Sequence, residues 1–166
     1  MNTGIAIIGV LIVVISIIPF ILVSRAKRKK EKRLRSEIAG MAKSHGCSIS
    51  MLDVLKDYAV GADENKHFIF FYKHQNGNET KLAINLADIQ SCRVINSTRT
   101  IGGRDSQYVI TDKVALCLTP VEISNPEIHL ELYSADDGTQ LVGELELVEK
   151  WSKAINNQLK SMKPIK

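Results

Sequence analysis

The stretches Asp57-Tyr-Ala-Val-Gly-Ala-Asp63 and Lys66-His-Phe-Ile-Phe-Phe-Tyr-Lys73 lie on either side of Glu64-Asn65. Two apolar runs of strand length separated by a polar turn predict a β-hairpin. The pattern downstream continues in the same register. Gln75-Asn-Gly-Asn-Glu79 is a turn cluster in which Asn76-Gly77 favours tight reversal. Strands are expected over 81–85 and 89–97, broken around Ala87-Asp88, and residues 101–106 read as a loop. A long strand follows over 108–118, where Val114, Leu116 and Leu118 share a face. Beyond the turn marked by Pro120 and Asn125-Pro126, residues 127–133 alternate, with Ile128, Leu130 and Leu132 on one side, and Asp136-Asp-Gly138 closes the strand.

The carboxyl-terminal part changes period. Val148, Trp151, Ile155, Leu159 and Met162 recur at helical spacing and predict an amphipathic helix over about 141–162. Trp151, the one tryptophan, sits in the middle of that apolar face, where a structural core role is expected. The fold class read from this order is α+β: an antiparallel sheet of six to seven strands, or a partly open barrel, capped by the terminal helix.

Upstream the chain is of another kind. Residues 5–23 carry no charge, and nineteen residues at about 1.5 Å each span roughly 28 Å, close to the hydrocarbon thickness of a bilayer. A remaining domain of this size could hardly surround so apolar a helix, so a transmembrane helix is predicted there. Arg25, Lys27, Arg28, Lys29, Lys30, Lys32, Arg33 and Arg35 follow at once, opposed only by Glu31. Taking those eight cations and one carboxylate from 22 basic and 18 acidic residues leaves 14 and 17, so the formal charge of +4 belongs to this segment. A cleaved signal peptide would place its cations before the apolar run and small residues after it. Cations that follow a span stay on the cytoplasmic side. The expected organisation is therefore an extracytoplasmic segment 1–4, a spanning helix 5–23, a basic juxtamembrane helix 24–45, and a cytoplasmic domain 46–166 at the inner membrane. The eight cations are the candidate contacts to anionic headgroups. They lack interleaved aromatic residues, and the domain behind them is acidic, which argues against nucleic acid.

Helical character is expected through Lys43, stopping at Ser44-His45-Gly46. Leu34, Ile38, Met41 and Ala42 form a narrow apolar stripe that either packs on the domain or pairs with a second copy in a homo-oligomer. Cys47, Cys92 and Cys117 are odd in number and lack a paired spacing, as expected of reduced thiols in a cytosolic domain.

This arrangement resembles the pleckstrin-homology-like superfold, in which a final helix, often bearing a tryptophan as in Glu149-Lys150-Trp151-Ser152-Lys153-Ala154-Ile155, plugs one end of a seven-stranded barrel. The resemblance covers about residues 46–160. It departs from the lipid-binding members at their first hairpin: the one around Asp63-Glu64 is acidic where theirs carries a basic phosphoinositide cluster. The chain is also similar to uncharacterised single-pass bacterial membrane proteins of the Bacteroidota type, through Tyr58-Ala-Val-Gly-Ala-Asp63, Ile89-Gln-Ser-Cys-Arg93 and Gly143-Glu-Leu-Glu-Leu-Val-Glu-Lys-Trp151. That similarity implies no assigned activity.

Chemistry-bearing residues are scattered. His45-Gly-Cys47 offers half a metal site with no second pair, and His67 and His74 differ by an odd number, which on a regular strand puts them on opposite faces. Gly102-Gly103-Arg104-Asp105 lacks the strand-to-helix setting of a phosphate loop, and Asp105 and Ser106 belong to no nucleophile elbow. Neither metal, cofactor nor catalysis is predicted. The expected function is a membrane-tethered cytoplasmic binding or scaffold module with a protein partner; the alternative is an enzyme or enzyme accessory acting on a membrane-proximal substrate. If the basic run sets topology, replacing its eight cations with glutamine should yield mixed orientations in a protease-accessibility assay. Unchanged, uniform insertion would mean that another determinant dominates.

Overall fold

A strand whose successive residues are all apolar needs cover on both faces of its sheet. Residues 58–62 and 68–72 meet that description, and the computed structural model supplies both covers. It describes the chain except residues 1–2, 76, 104–106, 139 and 163–166, and except the side chains at 3–14 and 19–20. Helix α1 spans Thr3–Ser44. Strands β1 (Met51–Leu55), β2 (Tyr58–Asp63), β3 (Phe68–Gln75) and β4 (Asn78–Asn85) form one antiparallel meander. After a 3-10 turn at Leu86–Asp88, strands β5 (Ile89–Ile101), β6 (Tyr108–Pro120) and β7 (Ile128–Ser134) form a second. Helix α2, Glu144–Met162, ends the described chain. The α+β reading stands, as two antiparallel sheets of four and three strands with a carboxyl-terminal helix.

The main core lies between the sheets and α2. Tyr58, Val60, Ile69 and Phe71 from the first sheet meet Val114, Leu116, Leu118 and Leu130 from the second, with Val148, Trp151, Ile155 and Leu159 of α2 closing the side. Trp151 is fully buried, as expected. Its indole Nε1 donates to Asp53 Oδ2 at 3.0 Å, and Lys150 Nζ reaches the same oxygen at 2.6 Å. Five residues further along α2, Asn156 accepts from the Cys92 backbone amide (3.2 Å) and donates to its carbonyl (2.6 Å).

The alternate residues Ala59, Phe70 and Tyr72 point the other way, onto Leu34, Ile38 and Ala42 of α1. The apolar stripe of the basic helix is thus used within its own chain. Burying a leucine or isoleucine contributes about 1.5–3 kcal/mol each. The ion pairs rimming this seat, Lys81–Glu37 (2.9 Å) and Arg33–Glu79 (2.9 Å), are partly exposed and of a kind worth about 0–1 kcal/mol. Apolar burial therefore dominates the attachment. α1 stops where the sequence says it should: Gly46, at φ +65°, lets Cys47 N reach Ala42 O (2.8 Å) and its own N reach Lys43 O (3.0 Å), a Schellman ending.

Two expectations change, and a third falls mostly outside the described residues. Residues 51–55 form β1, a strand not anticipated, so the hairpin around Asp63-Glu64 joins β2 to β3, and the first turn of the sheet is Lys56-Asp57. The acidic turn has a local purpose. Asp63 is buried and its carboxylate accepts from the amides of Ser48 (2.8 Å), Lys66 (3.0 Å) and Asn65 (2.9 Å), bonds that hold it below the usual carboxylate range. His67 lies in the turn with φ +59°, ahead of β3, so pleat parity does not relate it to His74. Finally, among the described residues no helix is long and apolar enough to cross a membrane. Most of the expected span 5–23, the side chains at 5–14 and 19–20, lies outside the described residues.

α1 packs closely at Gly61, where a Cβ would come within 2.7 Å of Ile38 Cγ2. Gly61→Ala should cost about 1–3 kcal/mol in denaturant unfolding through overpacking. Ile38→Ala should also destabilise, by about 2–5 kcal/mol, and the double variant should lose less than the sum of the two. Strict additivity would mean that the two residues do not share this contact.

Candidate functional site

All eight cations of the basic run are solvent-exposed on α1. Three are engaged: Lys30 with Asp57 in the β1–β2 turn, Arg33 with Glu79 on β4, and Arg35 with Glu31 one helical turn away (2.9 Å). No ion pair to Arg25, Lys27, Arg28, Lys29 or Lys32 is found among the described residues, so these five are available to an outside anion. The apolar side chains before them, including Leu22 and Val23, are exposed as well. Val23, Ala26 and Lys27 border a shallow groove of about 690 Å³ with Lys56, Gln140 and Val142 of the domain. The end of the domain where α1 enters therefore carries the β1–β2 turn and the segment between β7 and α2.

A second feature lies where the two sheets part. β4 and β7 are both edge strands, and a polar notch of about 330 Å³ opens between them. Lys73, mostly buried, stands in its wall between Glu131 Oε1 (3.2 Å) and Asp137 Oδ2 (3.5 Å). Lys113 takes the other Glu131 oxygen at 2.8 Å. Burial alone would raise the Glu131 carboxyl, but the bonds from Lys113 and Lys73 outweigh it and hold the group below its ordinary value. Behind Lys73, Gln75 and Asp137 a pocket of about 10 Å³ reaches Tyr58 and Glu144. The Tyr58 hydroxyl is buried with no hydrogen-bond partner among the described residues, and burial, then the charges of Glu144 and Asp53, push its pKa up. Glu144 is itself buried and balanced by Lys56 Nζ at 2.6 Å. A balanced set of charges leading to a lone hydroxyl suits binding of a polar group. It contains no nucleophile paired with a base.

The remaining sequence candidates have structural employment. His45 packs against Phe68 and Phe70 (5.7 and 5.8 Å between ring centres), and Cys47 Sγ donates to its backbone carbonyl. His67 Nδ1 lies 3.0 Å from Gln158 Nε2, whereas His74 Nδ1, 3.5 Å from Glu79 Oε1, is buried with no hydrogen-bond partner among the described residues. Burial pushes the Cys92 thiol up to about 11, which keeps it protonated. Residues 104–106 of the glycine-containing loop lie outside the described residues.

Sequence reasoning missed one cluster. Cys117, Glu127 and His129 bring potential metal ligands within 4.8 Å of one another. The β6–β7 register that pairs Cys117 with His129 is the signal that would have revealed it. The cluster is a poor fit to a metal. Glu127 Oε2 already accepts from Arg93 (2.7 Å) and from the Cys117 thiol (3.2 Å), while its other oxygen accepts from Thr119. Burial and the bond to Glu127 raise the thiol's pKa, against the thiolate a metal requires. Compared with known proteins, the chain matches no family model, no curated protein and no solved structure.

The charge relations at the notch predict a pH-dependent variant. A carboxyl held low in the folded state contributes stability that is present above its unfolded value and is lost as pH falls through the native one. Lys73→Met removes part of that contribution. It should destabilise the domain at pH 7, with the deficit from wild type shrinking as the medium falls below the usual carboxylate range. An equal deficit at pH 7 and in acid would mean that Lys73 does not stabilise the domain through the charge of Glu131.

Proposed function

We propose that the chain is a membrane-tethered binding or scaffold module of the pleckstrin-homology-like kind. Helix α1 crosses an inner membrane with its amino terminus outside, and the strand domain works in the cytoplasm. The observation that carries this reading is the continuity of α1. The apolar stretch 5–23, the cations and the stripe that seats on the first sheet belong to one helix, Thr3–Ser44, with no linker between anchor and domain. At about 1.5 Å per residue the 27 residues before Lys30 extend roughly 40 Å beyond the contact with Asp57, enough to cross a bilayer.

The four-plus-three strand arrangement closed by a tryptophan-bearing helix supports the pleckstrin-homology-like assignment. The basic turn of the lipid-binding members has no counterpart at Lys56-Asp57, because both residues are taken up by ion pairs with Glu144 and Lys30. The five available cations of α1 instead meet anionic headgroups as a diffuse charge, each worth on the order of 1 kcal/mol near the surface. The partner is a protein, received at the notch between the edge strands β4 and β7, where unpaired backbone and a polar wall lie side by side. The module holds and positions that partner and performs no chemistry on it.

A reporter fused after Lys166 should be active in the cytoplasm, with the protein resisting alkaline carbonate extraction. A periplasmic signal would reverse the orientation, and extraction by carbonate would remove the tether.

A further inference from the structure

The notch is half of a longer feature. Asn78 and Thr80 of β4 and His129 and Glu131 of β7 line it. Further along the same two strands, Ala83, Ile84 and Asn85 of β4 and Ile128 of β7 border a second hollow of about 300 Å³, backed by Ile89 and Pro120. The two hollows lie in line along one seam, polar at the end where α1 enters and apolar at the other. Across the molecule, α2 bonds to both remaining edges, through Trp151 to Asp53 of β1 and through Asn156 to Cys92 of β5. Among the described residues no element fills the β4–β7 seam in that way.

Of the two edges, β4 is the one suited to a further strand. It pairs with β3 without a register shift, whereas β7 breaks register with β6 between Tyr133 and Glu131. Charged side chains commonly guard an edge, but those of β4, Glu79 and Lys81, are committed to Arg33 and Glu37 of α1. Lys73 spans the seam to Glu131 at a deeper level: its side chain is mostly buried, while residues 78–81 of β4 are exposed. Two carboxylates on the seam have spare capacity. Asp88, exposed at the apolar hollow, has no ion pair among the described residues, and Asp137, at the polar one, has a single loose pair with Lys73 at 3.5 Å. The β6–β7 loop beside the apolar hollow carries Val121 and Ile123, 59% and 100% exposed. An occupant complementary to this seam brings apolar side chains to one end and positive charge to both.

We infer that the seam takes an extended, basic-and-apolar segment of a partner protein, which adds to β4 as a strand and seats an aliphatic side chain, next to a Lys or Arg, in the hollow beside Asp88. The inference rests on the reading of the notch as the place where a protein partner docks, and it supplies the form and chemistry of that partner. Backbone pairing to β4 gives affinity without regard to sequence, and the two hollows give selection. The eight residues of β4 offer a track of about 26 Å, so the recognised segment is short and linear.

The test presents the full chain, held in phosphatidylcholine nanodiscs, to a displayed library of linear dodecapeptides. Enriched sequences should set aliphatic residues beside Lys or Arg, and a synthetic copy of the most enriched peptide should slow amide hydrogen exchange in β4 at least tenfold. Asp88→Lys should weaken binding of that peptide at least tenfold while the melting temperature stays that of wild type. Slowed exchange confined to elements other than β4 and β7 would overturn this inference and the notch reading together. Slowed exchange at the notch with binding indifferent to Asp88→Lys would restrict the site to its polar half, overturning the inference and leaving the notch reading in place. A library with no peptide enriched over empty nanodiscs would overturn the strand and leave a folded partner at the notch. Protection of β4 that precedes peptide addition and falls on dilution of the protein would give the seam to a second copy and equally overturn the inference.

Discussion

The structure depends on a single close approach, Ile38 of α1 against the space left by Gly61 on β2. The first sheet buries both faces, which an isolated meander of four strands cannot do. Its inner face is satisfied by the second sheet and α2. Its outer face needs a separate cover with a complementary stripe, and α1 provides one in Leu34, Ile38 and Ala42. A Cβ at position 61 would overlap Ile38, so that side chain or the helix carrying it would have to shift. The polar rim adds geometry more than energy: Tyr72 donates to Glu79 at 3.0 Å while Lys81 lies over its ring, so the charges mark where the helix sits once apolar burial has placed it there.

Buried charge in the domain follows a consistent rule. Asp63, Glu144 and the half-buried Asp53 all lie at points where the chain changes direction or where a core donor needs a partner, and each has several bonds. Removing a carboxylate from water is costly unless its oxygens are satisfied. Here backbone amides serve Asp63, a lysine and a backbone amide serve Glu144, and an indole and a lysine serve Asp53. Tyr58 stands outside this rule, and its position at the inner end of the notch gives that cleft its chemical character.

Much of the fold was legible because its signals are local. The period-2 strands downstream of residue 57, the helical spacing around Trp151 and the glycine stop at Gly46 each state their structure within a dozen residues. β1 escaped because Asp53 occupies an inward position and breaks the apolar alternation of Met51 and Leu55. Its reason for being there, the indole of Trp151, lies 98 residues away in sequence. The notch and the Cys117–Glu127–His129 cluster were hidden for another reason: they exist only once the register of β6 and β7 and the approach of β4 are known. His67 defeated a parity argument because a residue at positive φ in a turn does not follow the pleat. The basic run of α1, by contrast, was legible as charge, and the structure adds which of its members are occupied.

The amide of Asn156 has a consequence for how copies of this domain can meet. An edge strand offers a row of unsatisfied donors and acceptors to any passing chain. At Cys92 both groups are already taken by one side chain, so the root of β5 behaves as though a further strand one residue long were present. Strand-by-strand growth of the second sheet is thereby stopped on that side at the place nearest the core. Edge-to-edge addition would have to start elsewhere: farther along β5, on β7, or on β1 or β4 of the other sheet. A single asparagine thus withdraws one point of strand attachment from that edge.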